Sequence, residues 1–245
     1  MVGLGTIVNI GTIIIGGALG LVLKRVLSKR IMDTVMQGIA LAVLVIGISG
    51  TLSAAFRVEG TGITSEHVLI MIISLALGAL IGELLRIEDR LELFGKFCER
   101  KLTKPEDEST FAQGFVTATL VFCVGSMAIV GSLEDGINRN SDILVAKSII
   151  DGIAAMIFAS TMGFGVLFSA LTVGIYQGTI TLLAYFVAPF FSDIVVMQMS
   201  LVGSILIMSI GLNMLKISKI KVGNLLPAIF IPTIYHLISH LYKQM

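Results

Sequence analysis

Residues Phe111–Phe168 read FAQGFVTATLVFCVGSMAIVGSLEDGINRNSDILVAKSIIDGIAAMIFASTMGFGVLF. Two apolar runs flank a polar connection, and the second run carries Lys147 and Asp151 beside or inside its apolar part. A helix needs about 20 mostly apolar residues to cross a bilayer. Charge inside such a run is costly and marks a functional candidate. This stretch therefore predicts two membrane-spanning helices, with a site of interest on the second.

Composition extends that reading to the whole chain. The hydrophobic fraction is 56% and the charged fraction 13%, against about 25% charged in ordinary soluble domains. Mean hydropathy is +0.99. The apolar residues come in long blocks, without the alternation in segments of about 10 residues that a β-barrel shows. The fold class expected is all-α, a polytopic membrane protein with about eight transmembrane helices. The net charge of +1 offers no field for nucleic acid, so none is expected as a partner. Cys98 and Cys123 form neither a disulfide framework nor a metal pair by spacing. No Lys or Arg precedes the first apolar run, so that run reads as a retained helix and not a signal peptide.

The spans are expected at about Val2–Leu23, Asp33–Leu52, Val68–Leu85, Phe111–Leu133, Ile143–Phe168, Ser169–Phe190, Ile194–Leu215 and Val222–Leu241. Pro227 and Pro232 interrupt the last one. After the third span, Leu84, Ile87, Leu91, Phe94 and Cys98 fall on one helical face, with Arg86, Asp89, Arg90 and Lys96 opposite. That piece reads as an interfacial amphipathic helix. Lys101–Thr110 reads as a loop.

Charge supports the count. Lys24, Arg25, Lys29 and Arg30 follow span one. Arg86, Arg90, Lys96, Arg100, Lys101 and Lys104 follow span three, and Lys216, Lys219 and Lys221 follow span seven. With eight crossings these thirteen basic residues share one side, and Arg57, Arg139, Lys147 and Lys243 are the four on the other. Basic residues favour the cytoplasmic side, so both termini are expected outside.

The chain also resembles itself. Shifted by 114 positions, Ile7–Ala42 lies on Val121–Met156 without a gap and with eight identities in 36 positions. Gly11 meets Gly125, Gly17 meets Gly131, Arg25 meets Arg139, and Gly38-Ile39-Ala40 meets Gly152-Ile153-Ala154. With a shortened loop, Gly78 and Gly82 match Gly174 and Gly178. Three spans per unit is odd, so the second unit enters the membrane from the other side. Inverted repeats of this kind are a common transporter plan. We expect one transmembrane domain over 1–245, with repeat unit one at about 2–100, unit two at about 111–190 and an extra helical pair at about 194–241. One echo stands outside that scheme: Ile210-Gly211 before Leu215-Lys216-Ile217 repeats Ile81-Gly82 before Leu85-Arg86-Ile87.

The candidate binding residues follow from the repeat and from polarity inside the spans. Asn9 aligns with Cys123, and Thr12 with Ser126, each pair three residues apart on one helical face. Amides, hydroxyls and backbone near glycine can replace part of a hydration shell. The plainer alternative is close helix packing, where small polar residues are routine. Lys147 and Asp151, four apart, can pair on one face as a gate or an ion pair. The repeat partner of Asp151 is neutral Gln37. Gln177 lies mid-span beside Tyr176, and Asn213 near the end of span seven. His236 reads best as a satisfied interhelical histidine, Glu83 as interfacial, and Glu134 with Asp135 as solvated loop acids.

No HExxH, Walker A, GxSxG or zinc-type cysteine spacing occurs, so neither an enzyme nor a cofactor is expected. GxxxG at Gly78–Gly82 and at Gly174–Gly178 points to close helix approach, internal or in a homo-oligomer.

At these residues a resemblance appears. Val121-Phe122-Cys123-Val124-Gly125-Ser126-Met127, Asp142-Ile143-Leu144-Val145-Ala146-Lys147-Ser148, Asp151 and Ala155-Met156-Ile157-Phe158-Ala159 resemble the YqgA/YdfK-type family of uncharacterised bacterial inner-membrane proteins. Asn9…Gly16-Gly17…Gly20 and Asn224-Leu225-Leu226-Pro227-Ala228 fit it as well. The resemblance covers nearly the whole chain, and a departure falls at Asn138-Arg139-Asn140, where relatives are richer in Gly and Asp. It implies a prokaryotic plasma-membrane location and a candidate transporter, with no substrate or catalytic residue to carry over. The function expected is transport of a small ion or small polar solute, with Asn9, Thr12, Cys123, Ser126 and Asp151 near the path and Gln37 and Gln177 behind them. The alternatives are an ion channel with the same lining and a non-transporting membrane scaffold or sensor.

Overall fold

The computed structural model describes residues 1–26, 28–59, 62–91, 93, 111–124 and 126–244. Its helices are α1 (Leu4–Val26), α2 (Lys29–Ala55), α3 (Val68–Leu85), α4 (Phe111–Cys123), α5 (Ser126–Ile137), α6 (Asp142–Met162), α7 (Gly165–Leu182), α8 (Asp193–Met214) and α9 (Ile231–Gln244). Short helical turns at Ala184–Val187, Ala188–Phe190, Val222–Leu225 and Leu226–Phe230 join the later helices. The fold is all-α and polytopic: seven helices are long and apolar enough to cross a membrane, or eight when the bent pair α4–α5 is taken as one span. Large apolar side chains such as Ile15, Leu69, Leu84, Leu171 and Leu182 stand exposed on these helices, as lipid-facing positions do.

Several boundaries differ from the sequence reading, each for a local reason. Phe111–Leu133 is not one continuous helix. It breaks between Cys123 and Ser126, and the two arms bend by 59°. The sequence carries Gly125-Ser126 at this point, and Gly/Ser pairs are a recognised cause of sharp kinks. The turn between spans five and six falls at Gly163, not after Phe168. Gly163 takes φ 78, which only glycine adopts cheaply. The last span is entered through a 3₁₀ turn around Pro227, while Pro232 sits in the first turn of α9, where its missing N–H costs nothing. A hairpin the sequence reading did not foresee joins α2 to α3. Its strands, β1 (Phe56–Glu59) and β2 (Gly62–Ser65), pair antiparallel. Phe94, Lys96, Cys98 and the loop Lys101–Thr110 lie outside the described residues.

The echo between spans three and seven is a shared helix stop. Arg86 ends α3 with φ 49, and Lys216 follows α8 with φ 59. Ile217 N donates to the Leu212 carbonyl at 3.0 Å, closing the end of α8. A left-handed non-glycine residue costs roughly 1–2 kcal/mol. A cation at a helix C-terminus recovers part of that from the helix dipole.

The chain divides into two compact units that cut across the sequence repeat. The first comprises Met1–Ile39, Asp89–Cys123 and Met127–Phe186; the second comprises Ala40–Glu88, Val124–Ser126 and Val187–Met245.

In the first unit α1 packs on α6 and α7. Cβ atoms on Gly16 and Gly20 would collide with the carbonyls of Gly152 and Met156, and one on Gly17 would collide with Leu167. In α1 and α6 the partners ascend together, Gly5 with Leu144, Gly16 with Gly152 and Gly20 with Met156, so these helices run parallel. In the second unit α8 is the most buried span. Ser192 caps it, with its Oγ accepting from Val195 N at 3.5 Å. Gly47 packs on Met208, Gly50 on Ser204 and Gly211 on Leu44, which makes α2 and α8 antiparallel. Gly78 and Gly82 pack on Ala228 and Asn224, which makes α3 antiparallel to the C-terminal segment.

These directions test the number of crossings. If α2 and α3 each cross, the chain leaves α3 on the side opposite to where α1 began. Because α6 runs parallel to α1, the chain must cross once more before α6. In a count of eight spans the bent pair α4–α5 supplies that crossing as a broken span.

Candidate functional site

Glycine builds the site. With no side chains between them at Gly16 and Gly152, α1 and α6 approach at backbone distance, and Asn9 of α1 comes against Asp151 of α6. Gly174 lets Ile10 seat on α7, which brings Gln177 to the same place. Asn9 Nδ2 donates to Asp151 Oδ2 at 3.0 Å and to Gln177 Oε1 at 3.2 Å. Lys147 Nζ, one turn before Asp151, donates to the same Oδ2. All four side chains are buried, and Asn9 and Gln177 have no exposed surface at all.

The cluster is electrically neutral but not satisfied. Asn9 Oδ1 and Gln177 Nε2 are buried with no hydrogen-bond partner among the described residues. Buried polar atoms are nearly always paired, and leaving one unpaired costs roughly 1–3 kcal/mol. One acceptor and one donor thus stand open beside a carboxylate in an apolar surround. Cys123, half-buried at the end of α4, lies within electrostatic range of Lys147 and Asp151.

Of the residues singled out in the sequence, Asn9, Lys147, Asp151 and Gln177 meet in one cluster and Cys123 lies beside it. Thr12 touches Gly152, but its hydroxyl is turned back onto the Asn9 carbonyl at 3.0 Å. Gln37 is exposed on α2 and is not part of the cluster. Ser126 opens α5, and its side chain lies outside the described residues. The repeat pairs Asn9 with Cys123 as equivalents, whereas the hydrogen bond runs from Asn9 to Asp151.

Other polar residues have structural work. Asp135 is not a solvated loop acid. It is fully buried and accepts from Gly3 N at 3.2 Å through Oδ1 and from Gly5 N at 3.1 Å through Oδ2. These amides belong to the unpaired N-terminal turn of α1, where an anion is favoured. Asn213 holds the turn after α8, donating to the Ile220 carbonyl at 2.7 Å and accepting from Ser218 Oγ at 2.7 Å. Glu83 accepts from Lys221 Nζ at 3.0 Å and from Asn224 Nδ2 at 2.5 Å. His236 Nε2 meets Gln198 Oε1 at 3.2 Å, and Gln198 Nε2 meets His67 Nδ1 at 3.1 Å, the interhelical role expected of His236. Gly78 and Gly82 are spent on packing inside the second unit, while Gly178 faces open space.

Fold and cluster together define a polytopic helical membrane protein with a buried, charge-balanced polar site among its spanning helices. The model of the DUF554 family, described as a protein of unknown function, matches residues 4–237, and the chain belongs to that family. It is 32% identical over 238 residues to the uncharacterized membrane protein YdfK of Bacillus subtilis (strain 168), covering 97% of each chain. It is 29% identical over 232 residues to the uncharacterized protein YqgA of Escherichia coli (strain K12), covering 93% of this chain and 94% of that one. No solved structure matches.

Proposed function

We propose that this protein is a plasma-membrane carrier for a small ion or small polar solute, with Asn9, Lys147, Asp151 and Gln177 as its binding site. The observation that carries the reading is the open acceptor on Asn9 and open donor on Gln177, fully buried beside the Lys147–Asp151 pair. A protein that needed these residues only for packing gains nothing by leaving two buried polar atoms unpaired. Ionisable residues inside spanning helices commonly mark ion or substrate pathways. The basic loops favour both termini outside. The site then lies in the outer half of the membrane, since Asp151 is about 13 Å along its helix from Asp142 at 1.5 Å per residue. A span whose first arm ends at Cys123, next to the site, fits the discontinuous helices from which transporter sites are commonly built.

The test is flux into vesicles reconstituted with purified protein. Saturable uptake of a small ion or solute is expected, falling at least tenfold in Asp151→Asn and in Asn9→Leu. Unitary currents instead of saturable uptake would make the same lining a channel. No flux across a panel of inorganic ions and small polar solutes would overturn the reading in favour of a scaffold or sensor.

A further inference from the structure

The open atoms of the cluster limit what it can take up, and this inference rests on the carrier reading above. Among the described residues, the buried charged side chains are Asp135, Lys147 and Asp151. Asp135 is occupied by the amides of Gly3 and Gly5. Lys147 and Asp151 neutralise each other in contact. A charged solute added to this cluster would leave one uncompensated charge in an apolar surround, which is costly. The solute that fits carries no net charge.

Hydrogen bonding narrows the choice further. An ionised carboxylate only accepts and an ammonium only donates. Asn9 must therefore turn its NH2 group to Asp151, as it does at 3.0 Å. The same Nδ2 reaches Gln177, which must answer with its carbonyl oxygen, Oε1, at 3.2 Å. These two bonds fix which atom of each amide is left over. Asn9 keeps a carbonyl oxygen and Gln177 an NH2 group, both buried and without a partner among the described residues. Because the two amides are bonded to each other, the leftover atoms lie within reach of one small molecule.

We infer that the site binds an uncharged solute carrying an N–H donor beside a carbonyl acceptor, the chemistry of urea and short primary carboxamides. The solute N–H donates to Asn9 Oδ1, and its carbonyl accepts from Gln177 Nε2. Each group is the complement of one leftover atom. Lys147 stays an ammonium and Asp151 a carboxylate throughout, and only hydrogen bonds are made or broken. A water can meet the same two atoms when no solute is bound, and a solute that displaces it must reproduce both bonds. A site built on buried hydrogen-bonding groups rejects an analogue that lacks one partner, since a polar group is then left unpaired.

The experiment uses full-length protein in vesicles loaded with unlabelled acetamide and follows the entry of radiolabelled acetamide by counterflow. Protein-free vesicles give the leak. Transient accumulation of label is expected, at the same rate with and without an imposed membrane potential. Urea in the outer medium should compete. Three probes of matching shape should compete worse by roughly tenfold or more. Guanidinium has the shape of urea with a positive charge, and acetate that of acetamide with a negative one. Acetone keeps the carbonyl of acetamide and has no N–H. Gln177→Glu retains an oxygen for Asn9 and replaces the NH2 group with a charged oxygen. It is expected to reverse the order, so that guanidinium competes better than urea. Because this variant puts a second carboxylate near Asp151 and can fail to fold, the wild-type competition series stands as a test by itself. Acetone or guanidinium competing as well as acetamide, or uptake that follows potential, overturns the assignment and leaves the carrier reading intact. So does a folded Gln177→Glu that keeps the wild-type order. So does saturable uptake of an inorganic ion that neither acetamide nor urea inhibits. Absence of any saturable uptake overturns both, the leftover atoms then holding water alone.

Discussion

Gly16 and Gly152, on parallel helices, meet so closely that a Cβ on Gly16 would lie on the Gly152 carbonyl. That approach is what lets Asn9 reach Asp151. Close van der Waals packing of small residues is a main source of helix association in lipid. Gly16→Leu or Gly152→Leu must force α1 and α6 apart, and overpacking of this kind costs roughly 1–3 kcal/mol or more. A clear fall in the unfolding midpoint of detergent-purified protein is expected for both. Gly178→Ala is the control, because nothing lies within 4 Å of its would-be Cβ. It should leave the midpoint unchanged or raise it, since Ala is the better helix former.

The Lys147–Asp151 pair predicts a non-additive pair of variants. Removing one partner of a buried ion pair costs roughly 3–5 kcal/mol, because the other charge is left without compensation. Lys147→Met should therefore destabilise strongly, and Lys147→Met with Asp151→Asn should recover most of the loss. A double-mutant cycle on denaturant midpoints measures this coupling. Independent additive effects would mean the two side chains do not interact.

Asp135 closes the N-terminal turn of α1 through the Gly3 and Gly5 amides. Asp135→Ala should cost roughly 1–2 kcal/mol, the upper range for charge and capping at a helix start. Hydrogen exchange at the Gly3 and Gly5 amides should rise, while exchange in the middle of α1 stays as in wild type. Equal acceleration along all of α1 would show a global loss of packing instead of a lost cap.

Parallel α1 and α6, with the basic loops taken as cytoplasmic, predict the sides of the loops. In a background with Cys98 and Cys123 replaced by Ser, Asn140→Cys should react with an impermeant thiol reagent added outside intact cells. Ser218→Cys should react only after the cells are opened. Both positions are exposed or half-buried at helix ends. The reverse pattern, Ser218→Cys reacting from outside and Asn140→Cys only in opened cells, would mean that α4–α5 does not cross or that the termini lie inside.

The left-handed residues at helix ends offer a local test. Arg86→Gly and Lys216→Gly remove the conformational cost of φ 49 and φ 59 but also remove a cation favoured at a helix C-terminus. The two effects are similar in size, so each variant should lie within about 1 kcal/mol of wild type. Arg86→Val and Lys216→Val, which lose the charge and keep the strain, should be clearly less stable in thermal unfolding.

Much of the site could be read residue by residue from the chain. Asn9, Asp151 and Gln177 are polar in apolar runs, and Lys147 stands one helical turn before Asp151. The partnership could not be read, because 142 residues separate Asn9 from Asp151 and 168 separate it from Gln177. The internal repeat offered Cys123 as the counterpart of Asn9 and Gln37 as that of Asp151, but equivalence under a repeat is not contact. Asp135 was missed because an acid at the end of an apolar run looks the same whether it meets water or the bare amides of another helix. The signal was present in Gly3 and Gly5, which leave the start of α1 open to an anion.

Sequence by itself determined that the chain is all-helical and membrane-embedded, because apolar run length and loop charge are local quantities that a bilayer reads directly. It also determined where the polar residues interrupt the spans. Tertiary structure decided which of them share a site, where Phe111–Leu133 breaks, and that α1 packs on the helices of the second sequence repeat. Those outcomes depend on which glycine faces meet across large separations in the chain, and the strength of such contacts is set by atomic fit that no periodicity encodes.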